Sequence, residues 1–236
     1  MKIIVTGFLD TTSKPQRIAG WIYLPLHVFV LPLFVAMYLQ YAPKGGNELY
    51  ATIAYYAFGF VFCLFVFWRY LRTAYDILCD NWAKNALAFF LAYILCLLLT
   101  YLAASVVFLL LGDGASNANN DAIDALTRDY PRMMMGITVF LAPLVEEVLF
   151  RGVCFGSLRM KHKTLAYLLS IGLFALYHVW EYALGQEDPT ALVFMLEYIP
   201  AGYALAWLYD KTNCIWIPIF LHMLINALAS AAATAM

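Results

Sequence analysis

Charge is what this chain has least of. Asp, Glu, Lys and Arg make up 12% of its 236 residues, against ~25% in a typical soluble domain. Neither sign dominates: 14 basic and 15 acidic residues leave a formal net charge of −1. There is accordingly no basic face for nucleic acid, and an apolar content of 64% excludes a disordered chain. Five cysteines (Cys63, Cys79, Cys96, Cys154, Cys214) are scattered, odd in number and form no C-x-x-C, so they read as small hydrophobes rather than a disulfide framework. The first fifteen residues hold only a short apolar run and an early Asp10, a poor signal peptide that is expected to stay attached. Neither a repeat nor a linker is visible, so residues 1–236 are expected to form a single integral-membrane domain.

What the chain has in excess is apolar runs. A helix needs ~20 mainly apolar residues to cross a bilayer, and seven segments qualify: Gly20–Tyr41, Leu49–Trp68, Ala86–Leu111, Met133–Ser157, Thr164–Ala183, Thr190–Tyr209 and Ile215–Ala233. Breakers mark the joints, with Pro43, Gly45 and Gly46 in the first turn and a polar loop over Gly112–Asn120. The stretch Asn119–Arg132 predicts a short surface helix, because Ile123, Leu126 and Tyr130 recur at roughly helical spacing. The fold class is therefore an all-α polytopic membrane protein, a bundle of about seven transmembrane helices. Lys2, Lys14, Arg17, Arg69, Arg72, Lys84, Arg159, Lys161, Lys163 and Lys211 fall at one end of this bundle, and only Lys44, Arg128 and Arg132 at the other. Basic residues collect on the cytoplasmic side, so the N-terminus is expected to be cytoplasmic and the C-terminus outside.

Ionisable residues within a span are costly and by default candidate functional groups. Glu146, Glu147, Arg151 and Glu197 read as the charged residues inside spans, three of them in Pro143-Leu-Val-Glu-Glu-Val-Leu-Phe-Arg151. On an α-helix Glu147 and Arg151, four apart, share a face and can pair. Glu146 turns ~100° away and is left the less neutralised carboxylate, as a general base requires. The alternative is a buried ion-pair cluster that only fixes helix packing. His178 follows Phe174 by one turn, and His222 precedes Asn226 by four residues, so each pair shares a helix face. A lone intramembrane His or Asn also serves as helix-packing glue. His27 shows no polar partner nearby in sequence and is assigned to packing, and His162 in a basic loop to solvent. At ~1.5 Å per residue Glu146 and His222 fall at similar depths, with His178 ~10 Å further out, so convergence is permitted.

The three segments together, Glu-Glu-x-x-x-Arg, Phe-x-x-x-His and His-x-x-x-Asn in that order on apolar helices, resemble the CPBP family (CAAX proteases and bacteriocin-processing enzymes, also called Abi), which includes the type II CAAX prenyl endopeptidase. Phe150-Arg151-Gly152 and the run Thr212–His222 also look like the family, and 133–234 would be the catalytic core. The resemblance implies an intramembrane endopeptidase acting on a membrane-associated peptide or protein, prenylated or leader-bearing. Glu146 would activate water, His178 would help position it, and His222 and Asn226 would stabilise the oxyanion, with Glu147 and Arg151 in support. Glu197 departs from the family pattern: it is expected near the outer boundary in contact with water, the alternatives being a cap for the break at Pro200 or a place in the lining of a substrate cavity. No cofactor is expected. Zinc is the chemical alternative, since Glu146, His178 and His222 are legal ligands, yet there is no H-E-x-x-H and Asn is a poor ligand. A bacterial source would put the protein in the cytoplasmic membrane, with lipid and substrate as its partners. The competing function is a non-catalytic immunity or scaffold protein of the same family; a transporter ranks last, for want of internal symmetry.

Overall fold

The structure, a computed structural model, describes residues 7–42, 46–185 and 189–235. Among them every regular element is helical, and seven helices are long and apolar enough to cross a membrane: α1 (Lys14–Tyr41), α2 (Glu48–Asp80), α3 (Trp82–Leu111), α5 (Pro131–Arg159), α6 (Lys163–Gly185), α7 (Pro189–Thr212) and α8 (Trp216–Ala235). The predicted surface helix is present as α4 (Ala118–Asp129). This is an integral, multi-pass membrane protein. Pro43 and Gly45 of the predicted first turn, with Lys2 and Lys44, lie outside the described residues.

Local chemistry sets the ends. Ser13 and Gln16 form a reciprocal capping box at the start of α1, and the Gln16 amide donates onward to the Val66 carbonyl of α2 at 2.9 Å. Asn47 caps α2 by accepting from the Tyr50 amide. At Gly112, φ is +80°, a left-handed turn that glycine adopts without penalty and that stops α3. The predicted polar loop is shorter than its sequence implied, because Asn117 caps α4 by accepting from the Asn119 amide. α2 also runs twelve residues beyond the predicted Trp68, to Asp80. Arg69 and Arg72 are thus on a helix rather than in a connection, their polar company no obstacle once the chain has left the hydrocarbon.

α5 is the central element. Of its most apolar window 67% is buried inside the protein, against 11–39% for the other spans. α3 is the opposite case, presenting Leu97, Leu98, Leu102 and Leu109 outward, a surface suited to acyl chains. Close approach to α5 depends on small residues: a Cβ at Gly59 of α2 would sit 3.1 Å from the Val145 side chain, tighter than ordinary contact. At the basic end, Arg159 and Asp210 pair at 2.5 Å, and Phe8 packs edge-on against Phe155 and Tyr209.

Three stretches widen from α to π geometry, Leu26–Val30, Gly136–Leu141 and Glu147–Phe155. Such bulges leave carbonyls free for other donors and concentrate at functional sites. The apolar pattern predicts α-helical turns throughout α5, because at short range it does not distinguish α from π geometry.

Candidate active site

Glu146 closes an α-helical turn of α5, Ala142–Glu146, and Glu147 opens the π stretch. Glu147 and Arg151 pair as expected, Nη1 to Oε1 at 2.8 Å, with both side chains fully buried. Arg151 does more than neutralise. Its Nη2 donates to the Gly202 carbonyl of α7 at 3.1 Å, and its guanidinium lies 4.3 Å over the Phe174 ring of α6. The same Glu147 Oε1 lies 2.8 Å from His222 Nδ1 of α8. One ion pair therefore ties four spans, and Glu147 also orients His222, a second role beyond the pair predicted from the four-residue interval.

The three motifs meet. Oε2 of Glu146 lies 4.0 Å from His178 Nε2 and 3.8 Å from His222 Nε2. The ~10 Å depth offset expected from straight helices is absorbed by the geometry of the packed bundle. His178 Nδ1 is 2.8 Å from the Phe174 carbonyl. A carbonyl only accepts, so Nδ1 carries the hydrogen, and neutral His178 turns a bare Nε2 toward Glu146. His178 also stacks on Tyr198, centroids 4.2 Å apart. The Tyr56 hydroxyl donates to Glu146 Oε1 at 3.3 Å. Oε2 is buried and has no hydrogen-bond partner among the described residues; it is the atom aimed between the two imidazoles.

Asn226 is held by a different device. Ala142 donates to the Ile137 carbonyl, five residues back. In that register the next donor would be Pro143, which has no N–H, so the Thr138 carbonyl is left free. Asn226 Nδ2 takes it at 2.8 Å, keeping its second N–H for other use. Glu146, His178, His222 and Asn226 all line one cavity of about 750 Å³. It opens between α4 and the neighbouring ends of α1, α2, α5, α6 and α8, away from the basic end.

Several neighbours of the site leave little trace in the sequence. His27 is not without polar company: it is fully buried with Tyr55 3.0 Å from Nε2 and Tyr23 3.5 Å from Nδ1. Glu181 is a further charged residue within the fifth span, beyond the four named above, and lies at the exposed edge of the cavity. Tyr55, Tyr56, Tyr177 and Tyr198 carried one usable signal, that a hydroxyl in an apolar span needs a partner, but 17 tyrosines dilute it. Glu197 is half-buried at the α4-bearing end, where Asn117 donates to its Oε2 at 2.7 Å; it does not line the cavity. Among the described residues, no group of three or more His, Cys, Asp or Glu side chains is arranged to hold a metal ion.

Fold and cluster define a multi-pass membrane protein with glutamate and histidine gathered at one buried point. Residues 129–228 match the family model for type II CAAX prenyl endopeptidase Rce1-like proteins. This match supports the resemblance read from the motifs: the segment is similar to Rce1-like proteins. The chain is 28% identical over 225 residues to the Bacillus subtilis (strain 168) protein named "Putative membrane peptidase YdiL", covering 93% of this chain and 85% of that one. It is 31% identical over 104 residues to the UPF0177 protein YxdF of Lactococcus lactis subsp. lactis (strain IL1403), covering 43% of this chain and 49% of the relative. No solved structure gives a significant match.

Proposed function

We propose that this protein is a glutamate-dependent intramembrane endopeptidase whose general base is Glu146. The observation that carries this reading is the unpartnered Oε2, buried and within 4.0 Å of two imidazole nitrogens. Water held there donates one hydrogen to Glu146 Oε2 and the other to His178 Nε2. As the water oxygen bonds to the scissile carbonyl carbon, Glu146 takes its proton and the carbonyl oxygen becomes anionic. His222 supplies a donor in its imidazolium form, held by Nδ1–H to Glu147 much as a triad carboxylate holds its histidine. The second N–H of Asn226 supplies another. Collapse then breaks the C–N bond, and the proton held by Glu146 passes to the leaving amine.

The substrate class is a membrane-associated peptide or protein, in keeping with a cavity that lies among spans and with the peptidase name of the Bacillus relative. The test compares membrane peptides of wild-type and Glu146→Ala cells, with insertion of the variant verified. Products should vanish from the variant. A phenotype that survives Glu146→Gln but is lost on altering span interfaces would favour the immunity or scaffold role. Asn226→Ala is expected to lower kcat by about 10²–10³ by removing an oxyanion donor, read from single-turnover cleavage.

The excess of basic residues at the end opposite the cavity supports a cytoplasmic N-terminus. Cys79, exposed at that end, should resist an impermeant thiol reagent in intact cells and react after permeabilisation. The reverse pattern would invert the topology.

A further inference from the structure

α1 and α2 lie outside the matched segment and carry none of its motifs, yet a hydrogen-bonded chain runs from them to Glu146. His27 Nε2 is 3.0 Å from the Tyr55 hydroxyl, which is 3.0 Å from the Tyr177 hydroxyl of α6. Tyr177 is 3.0 Å from the Tyr56 hydroxyl, and Tyr56 donates to Glu146 Oε1 at 3.3 Å. The rings add a scaffold: His27 stacks on Tyr55 at 4.6 Å and on Tyr177 at 5.6 Å. His27 itself stands in the π stretch Leu26–Val30, which begins immediately after Pro25.

We propose that His27, Tyr55, Tyr177 and Tyr56 are positioning residues for Glu146, forming a directed relay that aims its carboxylate at the water. This rests on Glu146 being the base, and its direction follows from counting hydrogens. An ionised carboxylate only accepts, so Tyr56 spends its one hydrogen on Glu146. Tyr177 must then donate to Tyr56, Tyr55 to Tyr177, and the Nε2–H of His27 to Tyr55. Nδ1 is left bare to accept from Tyr23, the remaining neighbour at 3.5 Å. When Glu146 takes the water's proton at Oε2, its Oε1 remains an acceptor for Tyr56, so the relay keeps its direction through the proton transfer. Tyr55 has a competing acceptor, the His27 carbonyl at 2.9 Å, so its hydroxyl is the one joint where the relay opens. Among the described residues no charged side chain is bonded to buried His27, so the relay ends there as an orienting device rather than a conduit to solvent.

Two measurements on the full-length protein in detergent test this. The first is kinetic. His27→Phe and Tyr177→Phe should each lower kcat about tenfold or more with KM within about twofold, and His27→Gln, which keeps an N–H donor, should recover much of the loss. A change confined to KM, equal losses for His27→Phe and His27→Gln, or no change would overturn the relay while leaving Glu146-dependent cleavage intact. The second is independent of activity. The ¹⁵N ring shifts of His27 should report the Nε2–H tautomer in wild type and a mixture in Tyr177→Phe. A pure Nδ1–H form in wild type would overturn the assignment, even in a protein whose cleavage requires Glu146. Cleavage indifferent to Glu146→Ala would instead remove the base and the reading beneath.

Discussion

Glu146→Gln is expected to lower kcat by about 10²–10⁴, the usual contribution of a positioned general base, while the protein inserts and unfolds as wild type does. Glutamine has the same shape, and its Oε1 still accepts from Tyr56, so the hydrogen bond that orients residue 146 is kept. What is lost is the capacity to take a proton at the atom between His178 and His222. A binding-only protein would tolerate that exchange, because an amide fills the same space and satisfies the same donor. The measurement is single-turnover cleavage of a membrane peptide by purified protein, with thermal unfolding in parallel. Wild-type turnover in Glu146→Gln would dismiss the mechanism.

Arg151→Ala should cost about 3–5 kcal/mol of stability, as breaking a buried ion pair by removing one partner does. Desolvation of the two fully buried ions is unfavourable, and the arrangement is tolerated only because Arg151 meets Glu147, the Gly202 carbonyl and the Phe174 ring together. Truncation strands Glu147 with His222 as its remaining partner and opens a void among four spans. Lysine is not an adequate replacement, since one ammonium cannot reproduce the planar fork that serves Glu147 and Gly202 at once. Thermal unfolding in detergent should show Arg151→Ala well below wild type. The double variant Arg151→Ala/Glu147→Ala should be less destabilised than the sum of the two singles, because the pair is coupled. Strict additivity would show that the ion pair does not act as a unit. Activity should also fall in Arg151→Ala, since Glu147 then orients His222 less firmly.

The parts of the molecule legible beforehand were those written in contiguous residues. Span number follows from run length, because the bilayer imposes one thickness on every helix. The short α4 was legible from apolar spacing, and the Glu147–Arg151 pair from a four-residue interval. What depends on partners distant in sequence was not legible. His27 reads as a packing residue in sequence, although Tyr23 stands one turn before it, because its shorter contact, to Tyr55, comes from another span. Glu147 was given one role because His222, 75 residues away, leaves no trace beside it. The departure from α geometry in α5 was equally hidden, although Pro143 explains afterwards why the Thr138 carbonyl was free for Asn226.

By itself the sequence determined a membrane-spanning helical protein of seven passes, since apolar run length and scarce charge act residue by residue and need no knowledge of packing. It also singled out Glu146, Glu147, Arg151, His178, His222 and Asn226, because polar groups in hydrocarbon are too costly to be incidental. Only the tertiary structure decided which atoms face one another: that Oε2 of Glu146 meets two imidazole nitrogens, and that tyrosines from α2 and α6 stand behind it. Hydrogen bonds vanish over an ångström, a precision that helix packing sets and linear spacing does not carry.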